Sequence, residues 1–446
     1  MKRRTFLQYA GVAGLGVAGG AYLYQSATRD GRNGVAVPIA GRAELQRTPL
    51  LIPGTSGPLG MLDVADAPLT LNARPTTLPL LQRKPSPFLT YAAQYAGRAY
   101  QNPIIRIQRG KQFTARLQNG LDEPTIIHWH GLHVPGVMDG HPRSSIAAGG
   151  QYDYTFPVTN RGGLYWYHSH AHNLTAKQAY FGQAGIFLVE DDEDRALRNA
   201  LQLEPGVSEI PLLIQDKQFD NTGKLSYSSN MMQQMMGQLG DTMLVNLTPQ
   251  PQLDITNRLY RFRILNGSNS RIYKLAFVHR GKALPYTVIG TDAGLLERPY
   301  TVHEIFLAPA ERLDILFDAS RLRAADEVLL TSLAFEAMNN DMMGGMGGGM
   351  GGMGGMMGAM GGSGLALGAE FEIMKFVVTS QTKAGSPPLP ARLSTIARID
   401  TRKATMRTVR LGLQGMRWVI NGESFDMNRY PIQSRSNTVE VWDFQN

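Results

Sequence analysis

The chain has 446 residues, 43% of them hydrophobic and 18% charged, a composition that can bury a core across about two to four domains and excludes wholesale disorder. It has no cysteine, which excludes disulfides, thiolate-held zinc, iron–sulfur clusters, thiol nucleophiles and a thiolate-ligated blue copper within the chain. The net charge of +8 is spread without a dense Lys/Arg run, so the basic stripe that nucleic acid requires is missing.

In chain order, Lys2-Arg3-Arg4-Thr5-Phe6-Leu7 comes first, followed by an uncharged run rich in Gly, Ala, Val and Leu from Gln8 to Tyr24. A basic start and a short apolar run are the layout of a secretory signal, and the adjacent Arg3 and Arg4 give it the form of a twin-arginine export signal over residues 1–30. The run is short and glycine-rich for a membrane-spanning helix, which needs about 20 apolar residues. No later stretch is long and apolar enough, so no stable membrane span is expected after signal removal.

From about residue 50 the sequence breaks into short alternating segments punctuated by Gly, Pro, Asn and Asp. Ile104 to Ile107, Tyr152 to Phe156 and Leu259 to Ile264 are examples; in the last, Tyr260, Phe262 and Ile264 alternate with Arg261 and Arg263. Period-two alternation predicts half-buried strands, and many such strands with frequent turns predict sandwiches or barrels. The best helical stretch, Asp191 to Leu203, is short and charged and reads as a linker. One domain is expected over 45–192 and a second over 209–380. After Ala384-Gly385-Ser386-Pro387-Pro388-Leu389-Pro390, a linker, a third unit occupies 400–446. That unit is too short for a domain like the others and is expected to be incomplete. Its strand Thr438 to Phe444 would face Val439 and Val441 one way and Trp442 and Phe444 the other. From Met342 to Gly364, 21 of 23 residues are Met or Gly, which predicts a flexible surface loop within 338–364.

Seven of the nine histidines lie between 128 and 172. His128-Trp129-His130 and His168-Ser169-His170 share an i, i+2 spacing. On a strand each pair presents two imidazoles to one face, about 7 Å apart at the backbone. Neutral imidazole is a good ligand for copper, zinc, iron and nickel. One such pair arises easily by chance; two in aromatic-flanked strands of one domain are a strong metal signal.

The surroundings of these pairs resemble the first domain of a multicopper oxidase: Asn119-Gly120-Leu121, Thr125 to His133, Gly163 to His170, Gly182-Gln183-Ala184-Gly185 and Ile186 to Asp191. Tyr260 to Asn269 and Ala308 to Ile315 resemble the second domain, and Asn421 to Met427 the third, so the resemblance spans about 50–446. It implies an all-β fold of tandem cupredoxin-like Greek-key β-sandwich domains with the third domain incomplete. It also implies a laccase-like or cuprous oxidase with four coppers in the complete enzyme. There a type 1 copper takes electrons from substrate, and a trinuclear cluster between domains one and three reduces O2 to water. By motif, His128 would bind the type 2 copper, and His130, His168 and His170 the type 3 pair. Asp139, in Val137-Met138-Asp139-Gly140, matches an acidic position that assists proton delivery; an ordinary Asp-Gly turn explains it equally well. His133, His141 and His172 have no ligand role in the family pattern, and His279 and His303 read as structural.

The family's remaining ligands lie in His-Pro-x-His-x-His and His-Cys-His motifs, and neither occurs here. The chain therefore supplies half of the trinuclear ligands and none for type 1 copper. Truncation is the simplest explanation, and the chain alone is expected to be inactive. The methionine-rich segment resembles that of periplasmic copper-tolerance oxidases acting on Cu(I), and Asp341, Met342 and Met343 are candidates for a substrate-copper site. The cluster Met231, Met232, Met235 and Met236 reads equally well as core filler. Expected partners are Cu(I) or a small phenol, together with O2; the complete protein is expected to be a periplasmic monomer. A non-catalytic periplasmic copper-binding protein, or a subunit completed by a partner chain, is the alternative.

Overall fold

A computed structural model describes residues 47–446 except 65–66, 82–83, 229–232, 234–236, 338–364, 382–384 and 415–416. The export-signal region 1–30, the cluster Met231, Met232, Met235 and Met236, and the Met/Gly segment with Asp341, Met342 and Met343 lie outside the described residues. Two compact units are present: one contains the described residues up to Ser394, the other Thr395–Asn446.

The larger unit holds two β-sandwiches. In chain order the first comprises β2 (Gly57–Pro58), β3 (Met61–Asp63), β4 (Leu69–Pro79), β5 (Pro85–Tyr95), β6 (Arg98–Gln101), β7 (Ile104–Gln108), β8 (Gln112–Asn119), β9 (Ile127–His130), β10 (Gln151–Pro157), β11 (Gly163–Ser169) and β12 (Ala184–Glu190). They form two sheets of order β10-β8-β4-β5-β6-β2 and β3-β7-β12-β11-β9. The pattern in β8 is the predicted one: Phe113, Ala115 and Leu117 point inward, while Gln112, Arg116 and Gln118 face water. Phe113, Trp129, Tyr154, Phe156 and Phe187 meet in the core between the sheets, with tilted or edge-on rings such as Phe113 and Trp129 at 4.9 Å.

The second sandwich begins with β1 (Thr48–Pro49), an outlying strand on its edge, and continues through β13 (Glu209–Lys217), β14 (Thr242–Val245), β15 (Thr248–Pro249), β16 (Pro251–Thr256), β17 (Leu259–Asn266), β18 (Tyr273–His279), β19 (Lys282–Leu284), β20 (Tyr286–Thr291), β21 (Gly294–Val302), β22 (Ile305–Leu307), β23 (Arg312–Asp318), β24 (Glu327–Ser332) and β25 (Phe371–Ser380). Its sheets run β15-β14-β13-β17-β23-β20-β21 and β1-β16-β25-β24-β18-β19, with β22 paired to β18. Phe262, Phe277, Phe317 and Phe376 anchor its core.

Strands β11, β12 and β13 are buried at every position, which simple alternation does not anticipate. One face of β11 and β12 lies in the first core. The other, with Leu164, Trp166, Ile186 and Leu188, packs on Leu213 and Leu265 of the second sandwich. The long β4–β5 hairpin adds Leu78, Leu80 and Phe88 against Leu225 and Leu244. Each fully buried leucine contributes about 1.5–3 kcal/mol to these contacts.

The predicted linker contains helix α2 (Asp192–Ala200), after helix α1 (Thr175–Tyr180). Asp191 caps α2 by accepting from the Asp194 amide at 2.9 Å. Asp194 is fully buried. It accepts from Arg261 at 2.8 Å and from Arg263 at 2.6 Å, and Arg263 also reaches Glu209 at 2.7 Å. The arginine face of β17 is therefore not a solvent face: both arginines are buried in an ion cluster that joins α2 to the second sandwich.

The smaller unit carries β26 (Thr405–Gln414), β27 (Arg417–Ile420) and β28 (Glu440–Gln445) in one sheet of order β27-β26-β28. Trp442 and Phe444 do share a face, opposite Arg407 and Val409 in the register.

Candidate metal centre

Strands β9 and β11 are antiparallel, with His128 opposite His168 and Trp166 opposite His130. Directly opposed residues share a sheet face, so both histidine pairs present their rings on one side, while Trp129 points into the core. Beyond the end of β11, the His170 amide donates to the Ile126 carbonyl at 3.0 Å and continues the pairing. The ring centroid of His128 lies 5.4 Å from that of His130, 5.3 Å from His168 and 5.2 Å from His170. Trp166 covers His168 at 4.1 Å and His130 at 5.1 Å.

Hydrogen bonds select which nitrogens remain free. His128 Nδ1 donates to the Asp139 carbonyl at 2.7 Å and lies 3.2 Å from its carboxylate, and His168 Nδ1 donates to the Ser169 carbonyl at 2.8 Å. In the neutral form each of these rings therefore leaves Nε2 unprotonated, with a lone pair to offer. His130 Nδ1 sits 3.3 Å from His168 Nε2. His170 Nδ1 is buried and has no hydrogen-bond partner. Burial, with help from Arg312 and His128, pushes His130 down to about 3. Burial and the neighbouring His128 likewise hold His168 and His170 below the ordinary imidazole range. Burial pulls on His128 too, but Asp139 outweighs it and raises that ring.

Asp139 is set between two short 3-10 turns, Gly136–Met138 and Pro142–Ser144. Gly140 follows it with φ +74°, and a Cβ there would lie 1.9 Å from the Ile127 carbonyl oxygen. Only glycine lets this loop rest on β9 and bring Asp139 to His128. On the far side, Gly131 has φ +85°, and a Cβ there would lie 2.7 Å from Arg312 Nη2. Arg312 also donates to the Leu164 carbonyl of β11 at 3.2 Å and pairs with Asp292 at 2.9 Å. A buried guanidinium from the second sandwich thus braces both histidine strands. Sequence reasoning quoted Arg312 only as part of a motif and gave it no role; nothing in its local sequence marks it as buried.

The structure brings His128, His130, His168, His170 and Asp139 together. His133 is fixed through its backbone, which donates to Asn160 at 2.8 Å. His141 accepts from the Arg143 amide at 3.1 Å and caps the second turn. His279 lies elsewhere, bonded to the Glu327 carbonyl at 2.7 Å.

These residues suit a metal ion. Ring nitrogens of His128, His130 and His168 lie within 4.8 Å of one another. Three of the four imidazoles are held toward the neutral form that carries a lone pair, and a partnerless buried nitrogen on His170 completes the set. An all-imidazole donor set of this kind fits copper well.

Comparisons with known proteins point to one family. The multicopper oxidase family model matches residues 80–194, which include all four histidines. The chain is 30% identical over 343 residues to "Cell division protein FtsP" of Photorhabdus laumondii, covering 77% of this chain and 66% of that protein. It is also 30% identical over 346 residues to "Multicopper oxidase mco" of Staphylococcus haemolyticus, covering 77% of this chain and 64% of that protein. These alignments span just under two thirds of the relatives' own length. Among solved structures, the McoA multicopper oxidase of Aquifex aeolicus superposes with a TM-score of 0.73 at 36% identity, covering 85% of this chain and 75% of that one. The tandem sandwiches are thus cupredoxin-like, and the chain belongs to the multicopper oxidase family, whose cofactor is copper.

Proposed function

We propose that His128, His130, His168 and His170 hold copper, and that the protein acts in one-electron oxidation of Cu(I) or small phenols coupled to reduction of O2 to water. The observation that carries this reading is the shared face of four imidazoles, most of them held neutral. The chemistry copper supplies when bound is one-electron redox cycling and O2 reduction. The chain's own residues do the rest. Asp139 fixes the His128 tautomer and places a carboxylate beside the platform, where it can hold a proton. Trp166 and the second sandwich keep water from one flank of His168. The 446 residues contain no cysteine and no histidine after His303, so a thiolate electron-accepting site and the other half of the platform require ligands from outside them. The domain division 45–192, 209–380 and 400–446 belongs to the same proposal, as does Asp341, Met342 and Met343 as a Cu(I) substrate site.

Reconstitution tests the reading. The full chain should bind Cu(II), and His128→Ala or His168→Ala should weaken binding about tenfold or more. O2 uptake with Cu(I) or a dimethoxyphenol should be absent from the chain alone. No copper binding by the unaltered chain would overturn the assignment.

The FtsP relatives favour a second reading, a copper-binding protein without turnover or a subunit completed by a partner. Copper held at full occupancy with no oxidase activity under any complementation would select it. We place the mature protein in the periplasm, exported through the twin-arginine route. Replacing Arg3 and Arg4 together by lysine should abolish export in a fractionation assay, and normal export of that double variant would exclude the route.

A further inference from the structure

We propose that Gln178 is the positioning residue of the histidine platform: its carboxamide fixes how the His128-Trp129-His130 and His168-Ser169-His170 segments lie relative to each other. This deepens the copper reading above and rests on it for its functional meaning.

Gln178 lies on α1 and is fully buried, an uncommon location for glutamine. A carboxamide has two N–H donors and two acceptor lone pairs, and all four are used. Oε1 accepts from Thr125 Oγ1 at 3.1 Å and from Ser169 Oγ. Nε2 donates to the Pro124 carbonyl at 2.9 Å and to Glu123 Oε1 at 3.0 Å. Three partners belong to the segment leading into β9. The fourth, Ser169, is the residue between His168 and His170. By strand alternation its side chain points away from the imidazoles, so Gln178 works from behind the platform.

The location matters because the ladder between β9 and β11 ends there. Register pairing stops at Ser169 and Ile127, and the Ser169 amide serves the other neighbour of β11, donating to the Gln183 carbonyl at 3.1 Å. His170, just beyond, is tied to the β9 segment by one backbone bond, to Ile126. The Gln178 network adds a side-chain tie at this end of the ladder. It is itself well anchored. The Gln178 amide donates to Leu174 at 2.8 Å, and its carbonyl accepts from Gln183 at 2.9 Å. Next to it on α1, Lys177 takes the other Glu123 oxygen at 2.7 Å. Away from competing water such bonds are strong, and a buried network missing one member leaves several groups unsatisfied. Metal ligands must be held to within about 0.5 Å, and loss of a group that orients them typically weakens metal affinity about 10–100-fold.

The test uses the full chain and the variants Gln178→Met, Gln178→Glu and Ser169→Ala. Cu(II) is titrated well below each variant's melting temperature and followed by electron paramagnetic resonance. Imidazole nitrogen resonances are recorded on the metal-free proteins. Expected for Gln178→Met is a Cu(II) affinity about tenfold or more weaker, with the single copper signal of the unaltered chain split into several. Gln178→Glu, which places acceptors against Pro124 and Glu123, should be at least as severe, and Ser169→Ala intermediate. A Gln178 that only glues α1 to the sandwich would lower melting temperature while leaving affinity within about twofold and the copper signal unchanged; that result overturns the proposal. If the Gln178 variants fail to fold, Ser169→Ala and Thr125→Val decide by the same criteria. If the unaltered chain binds no copper, the functional reading fails separately. The metal-free histidine resonances then decide: broadening in the variants supports a positioning role, and unchanged resonances reject it.

Discussion

Gly140 shows how much a single residue can carry at this site. Its backbone rests on the Ile127 carbonyl with no room for a methyl group. Gly140→Ala must move either the Asp139 loop or β9. We expect a loss of more than ~1 kcal/mol in denaturant unfolding, and a His128 ring freed from the Asp139 carbonyl. The two histidine pairs were legible from spacing alone, since i, i+2 on a strand dictates a common face. Asp139 was legible only through its motif; the structure sets its carbonyl and carboxylate beside the His128 ring. Gln178 and Arg312 were not legible. A glutamine in a short helix and an arginine on a strand read as solvated, and their partners lie far away in sequence: Thr125 for the first, Leu164 for the second.

At the scale of elements, α2 shows where alternation misleads. Polar residues in β17 suggested a wet face, but Arg261 and Arg263 close on Asp194 and Glu209 in the interior. Removing one partner from such a cluster leaves charge buried and unpaired, so Asp194→Asn should cost about 3–5 kcal/mol. The cluster also sets an acid limit. Burial alone would raise Glu209, but Arg263, Arg261 and Arg198 bring it down to about 2 from 4.5. Asp194 is likewise pulled below its usual range against the effect of burial. A depressed carboxylate stabilises the fold above its unfolded pKa, and that contribution is lost as pH falls through the folded value. Stability should therefore decline between about pH 4.5 and 2, and Glu209→Gln should flatten that decline in pH-jump unfolding.

Across the whole molecule the histidines add a second pH dependence. His130, His168 and His170 sit below the ordinary imidazole value of about 6.5, with His130 at about 3. Between those values the folded chain binds fewer protons than the unfolded one, so stability of the metal-free protein falls as pH drops. The raised His128 opposes this in part. Thermal melts of the metal-free chain should show the fall across this window, less steeply in His130→Gln. The all-β class and its many short strands were legible from period-two patterning. The pairing of two sandwiches through fully buried β11, β12 and β13 was not, because a strand covered on both faces loses the alternation by which strands are recognised.

The four tryptophans fall into two pairs, and this gives the chain an optical readout. Trp129 and Trp166 are 0% and 7% exposed, and Trp166 lies against His168 with the two rings tilted by 32°. Trp418 and Trp442, in the three-stranded sheet, are 57% and 42% exposed. Intrinsic fluorescence should therefore contain a blue, protected component and a red one open to acrylamide. A paramagnetic ion settling among the histidines should extinguish the blue component, because the Trp166 ring centroid lies 4.1 Å from that of His168, so loss of the blue emission reports copper bound at this site.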